Sequence, residues 1–178
     1  MITAFIIGCE IGFWVLVLAG LVCRYVLRLK PLGAILLLCT PVVDLILIVA
    51  TVVDLRNGAT ATTVHGISAI YIGVSVAYGH KMIRWADERF AHRFAGGPKP
   101  VPKPKHGAEH AGYERRMWLL HLLAWAIGCL VLYGMIWLVG DAARTETLLG
   151  TLRLWSVVVG IDFLYSFSFT LWPRKAKV

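Results

Sequence analysis

Five apolar runs dominate the chain, and each is long enough to cross a lipid bilayer as a helix. They cover residues 3–23, 32–53, 59–79, 117–140 and roughly 154–172. A membrane-spanning helix needs about 20 predominantly apolar residues. The composition agrees, because 58% of the residues are hydrophobic and only 16% are charged, whereas soluble domains are about 25% charged. The chain is therefore predicted to be an integral membrane protein, which excludes secreted disulfide scaffolds, disordered regulators and soluble enzymes.

The five runs predict an all-α integral membrane protein, a bundle of five transmembrane helices. None of them shows the roughly 10-residue alternation of a β-barrel strand. The fifth run is the least regular, since it contains Asp162 and could begin as early as Leu148, with Arg153 at the membrane surface. The first run is interpreted as a helix rather than a cleaved signal sequence, because no Lys or Arg precedes it and Glu10 interrupts it.

Basic residues are concentrated on one side of the predicted membrane. Of the 18 Lys and Arg residues, all but Arg56, Arg144 and Arg153 lie in the first loop, the third loop or the C-terminal tail. Because cytoplasmic loops carry an excess of Lys and Arg, the N-terminus is expected outside and the C-terminus in the cytoplasm of a bacterial-type plasma membrane. The formal charge of +8 would also suit nucleic-acid binding, but the apolar runs leave no soluble face for it.

The long basic loop between the third and fourth runs has two parts. In residues 81–94, apolar side chains such as Ile83 and Phe90 recur at helical spacing among basic ones. This pattern predicts an amphipathic helix on the inner leaflet that binds anionic headgroups. The alternative is that the third span continues into water as a helix. Residues 95–112 are rich in Pro and Gly, so they are predicted to form a semi-rigid basic tether.

Ionisable residues within the spans are the most informative, because charge in hydrocarbon is costly and usually faces the interior of a bundle. A rise of about 1.5 Å per residue places Glu10, Asp44, His65 and Asp162 at one level, roughly 10 Å below the outer surface. His121 is expected nearer the inner surface. The four groups could bind a cation, relay protons or recognise a small cationic ligand. The alternative is a polar network that only fixes helix packing.

Helical phase, at about 100° per residue, adds polar neighbours to this level. Ser68 and Tyr71 share a face of the third span with His65, and Tyr165 follows Asp162 by about one turn. The adjoining face of the third span carries small residues, which let helices approach closely and predict a central position in the bundle. These small residues are Gly66, Ala69, Gly73 and Ala77. The candidate ion- or ligand-binding residues are therefore Glu10, Asp44, His65, Asp162, Ser68, Tyr71 and Tyr165.

No cofactor is predicted from the motifs of the chain. A b-type haem needs two axial histidines at one depth, and only His80 and His121 offer such a pair. The four cysteines form no Cys-x-x-Cys motif, which argues against a thiolate zinc site. Neither His-Glu-x-x-His nor Gly-x-Ser-x-Gly occurs, so a hydrolase is not expected. An ion site made of carboxylates and imidazole leaves the identity of any metal open.

Two functions of different classes fit these features. The first is a transporter, channel or sensor subunit that handles protons, a cation or a small cationic ligand at the cluster in the outer half of the bilayer. The second is a non-catalytic membrane scaffold or accessory subunit that engages a partner through the basic loop. Because five helices are few for a standalone carrier, either function favours a homo-oligomer or a larger membrane complex. Anionic lipid headgroups are expected neighbours, and nucleic acid is not.

Overall fold

The chain folds into five long helices over the residues that the structure describes. The structure is a computed structural model that describes residues 2–94 and 97–173, with only the backbone for 2–7, 9, 10 and 94. Over these ranges every regular element is helical. The helices are α1 (Ile2–Leu21), which continues as a π-helical turn (Val22–Val26), α2 (Lys30–Arg56), α3 (Thr63–Phe94), α4 (Gly107–Val139) and α5 (Ala142–Leu171). The prediction of an all-helical fold is confirmed for the described ranges.

The outer surface of the bundle is rich in apolar side chains. Leu130, for example, is 75% exposed, and large apolar residues are exposed on every helix for which side chains are described. A soluble protein rarely leaves so much contiguous apolar surface to water. By length and composition, α2, α4 and α5 can each cross a membrane, and Ile11–Val26 is a shorter apolar stretch within the part of the chain that the structure describes. These features are those of a helical membrane protein.

The fifth helix begins earlier than its apolar run. Gly140 ends α4 in a left-handed conformation, with φ of 68°, which favours glycine. Asp141 then caps α5, because its carboxylate accepts hydrogen bonds from the backbone N–H groups of Ala143 (3.0 Å) and Arg144 (3.2 Å). α5 therefore starts at Ala142, twelve residues before the predicted span.

The third helix is unbroken over its whole length. Residues 81–94 continue it directly, so they are helical and no turn separates them from the third apolar run. Whether they lie on the inner leaflet or extend into water stays a prediction. α4 begins at Gly107, and residues 107–112, which the sequence places in the tether, form its first turns. Residues 97–105 are non-helical, as expected from their prolines.

Small residues allow α3 to occupy the centre of the bundle. A Cβ atom on Gly73 would collide with the carbonyl oxygen of Ala124 in α4, and one on Gly66 would collide with the side chain of Thr151 in α5. α3 also packs against α2, and an aromatic contact joins it to α1. It therefore contacts every other helix, which confirms the predicted central position and small-residue face.

The bundle has two ends, here called the basic end and the opposite end. The basic end holds the α1–α2 connection, the last turns of α3 and residues 97–106; the opposite end holds the α2–α3 and α4–α5 connections. At the opposite end, Arg144 donates a hydrogen bond from Nη1 to the carbonyl of Leu55 (3.1 Å). Its own carbonyl accepts one from the backbone N–H of Ala61 (2.8 Å). These contacts fix the start of α5 against the α2–α3 connection.

Candidate functional site

An imidazole–carboxylate pair joins α4 and α5 inside the bundle. His121 Nδ1 lies 2.7 Å from Asp162 Oδ2, and the two side chains are 20% and 33% exposed. The indole Nε1 of Trp155 donates a hydrogen bond to His121 Nε2 (3.2 Å). The Oγ of the buried Ser166 lies 3.5 Å from the other oxygen of Asp162. Both nitrogens of His121 and both oxygens of Asp162 therefore have polar neighbours.

The indole determines where the proton of His121 lies. An indole N–H can only donate, so Nε2 of His121 accepts and the ring proton is on Nδ1. The Nδ1–H group of His121 therefore donates a hydrogen bond to Asp162 Oδ2. Both oxygens of Asp162 then act as acceptors, which is the arrangement of an ionised carboxylate. In this state His121 is neutral, and the pair carries one negative charge.

Three tryptophans hold α4 and α5 in register around the pair. The ring of Trp155 fits against α4 because Gly128 has no side chain, and a Cβ there would collide with it. Trp118, about one turn before His121, donates to a backbone carbonyl of α5 (3.2 Å). Trp125, about one turn after it, donates to a serine hydroxyl of α5 (3.0 Å). The position of His121 relative to α5 is thus fixed from both sides.

The pair lies nearer the basic end than the opposite end. Arg115 donates from Nη1 to Thr170 Oγ1 (2.8 Å) close to the basic end, and Asp162 lies eight residues before Thr170, roughly 12 Å deeper in the bundle. The apolar run of Asp162 begins near residue 154 and instead predicts this residue in the half of the bundle nearer the opposite end. The early start of α5 moves Asp162 toward the end of its helix. His121, which the depth estimate set apart from the cluster, is its partner.

His65 is not in contact with Asp162. It lies in the first turn of α3, where its Nδ1 accepts a hydrogen bond from the backbone N–H of Thr62 (3.1 Å). The next residue, Gly66, packs against Thr151 of α5, and Asp162 lies eleven residues further along that helix, roughly 16 Å away. The structure therefore places these two groups at different depths and does not bring them together.

Asp44 lies on the buried face of α2. It is 5% exposed, and its Oδ2 has no hydrogen-bond partner among the described residues. Gly20 of α1 packs against Leu37 of α2, and this antiparallel register sets Asp44 opposite Phe13. The ring of Phe13 contacts that of Tyr71 in α3, with centroids 5.0 Å apart. Asp44 and Tyr71 therefore lie at about the same depth, on different helices from the His121–Asp162 pair.

The remaining candidate residues have local partners where the structure describes them. Ser68 Oγ donates to the carbonyl of Val64 in its own helix (3.1 Å). Tyr165 is more than half exposed, and its ring packs against Phe169 (5.0 Å). The side chain of Glu10 lies outside the described residues. Ion or ligand binding by these groups stays a prediction.

The two histidines considered for haem have other polar neighbours. His80 Nε2 is 3.0 Å from Nη2 of Arg84. The two ring nitrogens of His121 are engaged by Asp162 and by Trp155. Among the side chains that the structure describes, no group of three or more His, Cys, Asp or Glu is placed to hold a metal ion.

A second ion pair, which the sequence analysis did not identify, ties the α1–α2 connection to α3 at the basic end. Arg24 donates from Nε to Asp87 Oδ1 (2.9 Å) and from Nη2 to the other oxygen, so the contact is bidentate. Hydrogen bonding from the Arg24 guanidinium holds the pKa of Asp87 below its ordinary value. Beside the pair, the Tyr25 ring packs against Phe90 (4.7 Å). The partners are 63 residues apart in sequence, and no local pattern connects them.

The chain is similar to a curated bacterial membrane protein along nearly its whole length. It is 50% identical over 173 residues to the "Uncharacterized membrane protein YmcC" of Bacillus subtilis (strain 168), and the match covers 97% of this chain and 92% of that protein. No protein-family model and no solved structure matches the chain. The similarity supports the membrane setting that the apolar surface of the bundle indicates.

Proposed function

The chain belongs to the family of the Bacillus subtilis membrane protein YmcC, and we propose that it moves protons across the plasma membrane through the His121–Asp162 pair. In this proposal all five helices span the bilayer, with the N-terminus outside and the C-terminus in the cytoplasm. The distribution of Lys and Arg supports this orientation. Family membership supports the membrane setting, and the geometry of the pair supports the proton chemistry.

The observation that carries the proposal is the chain of hydrogen bonds from Trp155 to His121 and from His121 to Asp162. Because His121 Nε2 accepts from Trp155, the imidazole is neutral and the charge of Asp162 has no cationic partner among the described side chains. An uncompensated charge in a low-dielectric surrounding is costly. Uptake of one proton makes the pair neutral overall, and imidazole is the side-chain group that ordinarily exchanges a proton near neutral pH.

Proton uptake has a defined structural consequence. A proton that binds His121 Nε2 displaces the hydrogen bond from Trp155 and leaves an imidazolium–carboxylate pair. Loss of that proton restores the bond. Since the Trp155 ring fills the space above Gly128, protonation would loosen a contact between α4 and α5. The pair thereby couples its charge to the packing of two helices.

The partial exposure of Asp162 favours an oligomer as the working form. The carboxylate is 33% exposed although it lies roughly 12 Å inside the bundle. A second copy of the chain, or another membrane subunit, would cover this side of α5 and separate the carboxylate from lipid. The proposal therefore places the proton path next to a subunit contact.

Proton flux into proteoliposomes tests the proposal. The full-length protein is reconstituted with a trapped pH-sensitive dye, and a potassium diffusion potential drives proton entry. Wild-type protein should pass protons, and Asp162→Asn should reduce the flux at least tenfold, because the amide keeps the shape but cannot exchange the proton. Glu146→Gln is the matched control, since it makes the same carboxylate-to-amide change at an exposed position near the other end of α5, and it should retain the flux. Wild-type flux no higher than that of protein-free vesicles, or full flux in Asp162→Asn, would overturn the proposal.

A further inference from the structure

A strongly basic cleft lies between the last turns of α3 and the proline-rich segment that follows it. The cleft has a volume of about 810 Å³. One carboxylate, that of Glu88, lines it. Five basic residues also line the cleft, namely Arg89, Arg93, Lys99, Lys103 and Lys105. The cleft therefore has a large excess of positive charge, which suits an anionic ligand.

The proline-rich segment is fixed at both ends. At the start, the backbone N–H of Gly97 donates to the carbonyl of Ala91 (2.9 Å), and the Gly97 carbonyl lies 3.1 Å from His92 Nδ1. These contacts reverse the chain, so that the segment runs back along α3. At its other end, the carbonyl of Pro104 lies 3.0 Å from His110 Nδ1 in α4. The prolines between them stiffen the chain, so both walls of the cleft have defined positions.

The cleft also lies at the level where α3 and α4 leave the apolar part of the bundle. Lys103 Nζ is 5.7 Å from the centre of the Tyr113 ring, and Lys81 Nζ is 4.9 Å from the same ring. Trp85 is exposed and carries the Arg89 guanidinium over its ring, 4.4 Å from the ring centre. Tryptophan and tyrosine are enriched at the membrane surface, and clustered Lys and Arg there attract anionic headgroups.

We propose that this cleft binds the phosphate-bearing headgroup of an anionic phospholipid in the leaflet at the basic end. A lipid is favoured over a soluble phosphate because the cleft lies beside the membrane surface, where acyl chains can stay in the bilayer while the phosphate enters. The exposed side chains of Trp85 and Val101 also give the cleft apolar surface, which a soluble phosphate would not contact. This site is independent of the proton pair, since neither wall contains His121 or Asp162.

Lipid retention by the full-length protein in neutral detergent, measured by native mass spectrometry, tests the proposal. Phosphatidylglycerol should be retained in preference to phosphatidylcholine of the same chain length. The double variant Lys99→Gln/Lys103→Gln should bind phosphatidylglycerol about tenfold more weakly, because each basic residue near an anionic headgroup contributes to the attraction. The matched control is Arg84→Gln/Arg116→Gln, which removes the same charge from exposed residues at the basic end that do not line the cleft. It should bind as wild type does.

Four results would overturn the proposal. Equal retention of the two lipids by the wild type would exclude selection of an anionic headgroup. Equal weakening in the two double variants would show general attraction to positive charge rather than a site. Displacement of the lipid by an equal concentration of glycerol phosphate would identify a soluble anion as the ligand. An unchanged affinity of Lys99→Gln/Lys103→Gln for phosphatidylglycerol would also overturn the proposal. An acidic protein partner would then be the better candidate to occupy the cleft. Circular dichroism on each variant verifies that the helices are intact.

Discussion

Gly128 sets how closely α4 and α5 approach at the proposed proton site. A Cβ atom at this position would collide with the ring of Trp155, so Gly128→Ala must displace the indole that donates to His121 Nε2. Overpacking of this kind costs about 1–3 kcal/mol. We expect the free energy of unfolding of Gly128→Ala to fall by that amount, with a matching decrease in the midpoint of thermal unfolding in detergent.

Gly134 on the same helix is the matched control, because a Cβ there would meet nothing within 4 Å. Alanine is the better helix former by about 1 kcal/mol, so Gly134→Ala should leave the midpoint unchanged or raise it. Equal midpoints for the two variants would contradict the close contact between Gly128 and Trp155.

The sequence identifies His121 and Asp162 as ionisable groups within spans but does not reveal that they are partners. Their depths were inferred from the limits of the apolar runs, and Arg144, Glu146 and Arg153 make the start of α5 too polar to be counted as part of a run. The local signal that could have corrected this is Gly140–Asp141, a helix stop followed by an N-cap. Hydropathy reports contact with lipid, whereas caps report where a helix begins.

At the scale of the helices, the Arg24–Asp87 ion pair fastens the α1–α2 connection to α3, and its contribution depends on pH. Arg24 lowers the pKa of Asp87 from its ordinary value of 3.8, mainly through hydrogen bonding. The pair therefore stabilises the folded state above pH 3.8, and this stabilisation is lost as the pH falls through the lowered pKa. Asp87→Asn should cost about 1 kcal/mol at neutral pH, and its thermal midpoint should converge with that of the wild type in acid.

The exposed neighbour Glu88 supplies the control for this prediction. Glu88→Gln removes the same charge one residue along α3 without touching Arg24, so its midpoint should differ little from that of the wild type at any pH. If Glu88→Gln showed the same dependence on pH as Asp87→Asn, general charge effects would explain the result and the ion pair would not.

The sequence prediction and the structure differ in the residues at which helices begin and end, and agree on the presence of the helices. Each apolar run corresponds to one helix of the described fold, because the pattern of apolar residues is set by the surroundings of that segment. The polar turns that extend α3 over 81–94 and α4 over 107–116 could not be assigned in the same way. An amphipathic pattern is compatible with a helix that lies on lipid and with one that packs on neighbouring protein. Contacts distant in sequence, such as that of Arg24 with Asp87, are not visible in such a pattern.

At the scale of the whole molecule, orientation is the property on which both proposals depend. The fold places the α1–α2 connection and residues 97–106 at one end and the α2–α3 and α4–α5 connections at the other. The positive-inside rule predicts that the basic end faces the cytoplasm. Single cysteines at Asn57 and Lys99, in a background with the native cysteines replaced, test this with a membrane-impermeant thiol reagent. Asn57→Cys should label in intact cells, and Lys99→Cys only after the cells are permeabilised.

The physical basis of this prediction is the energy of moving charge across the membrane. Basic loops near the ends of spans are retained on the cytoplasmic side during insertion, and all but three of the 18 Lys and Arg residues favour the same side. Labelling of both cysteines in intact cells would exclude a single orientation. Labelling of Lys99→Cys alone in intact cells would show the opposite orientation, with the basic cleft and the nearby His121–Asp162 pair toward the outer surface. With the expected labelling pattern, the shorter path from the His121–Asp162 pair leads to the cytoplasm. The cleft then lies at the inner leaflet, where its five basic residues can bind anionic lipids.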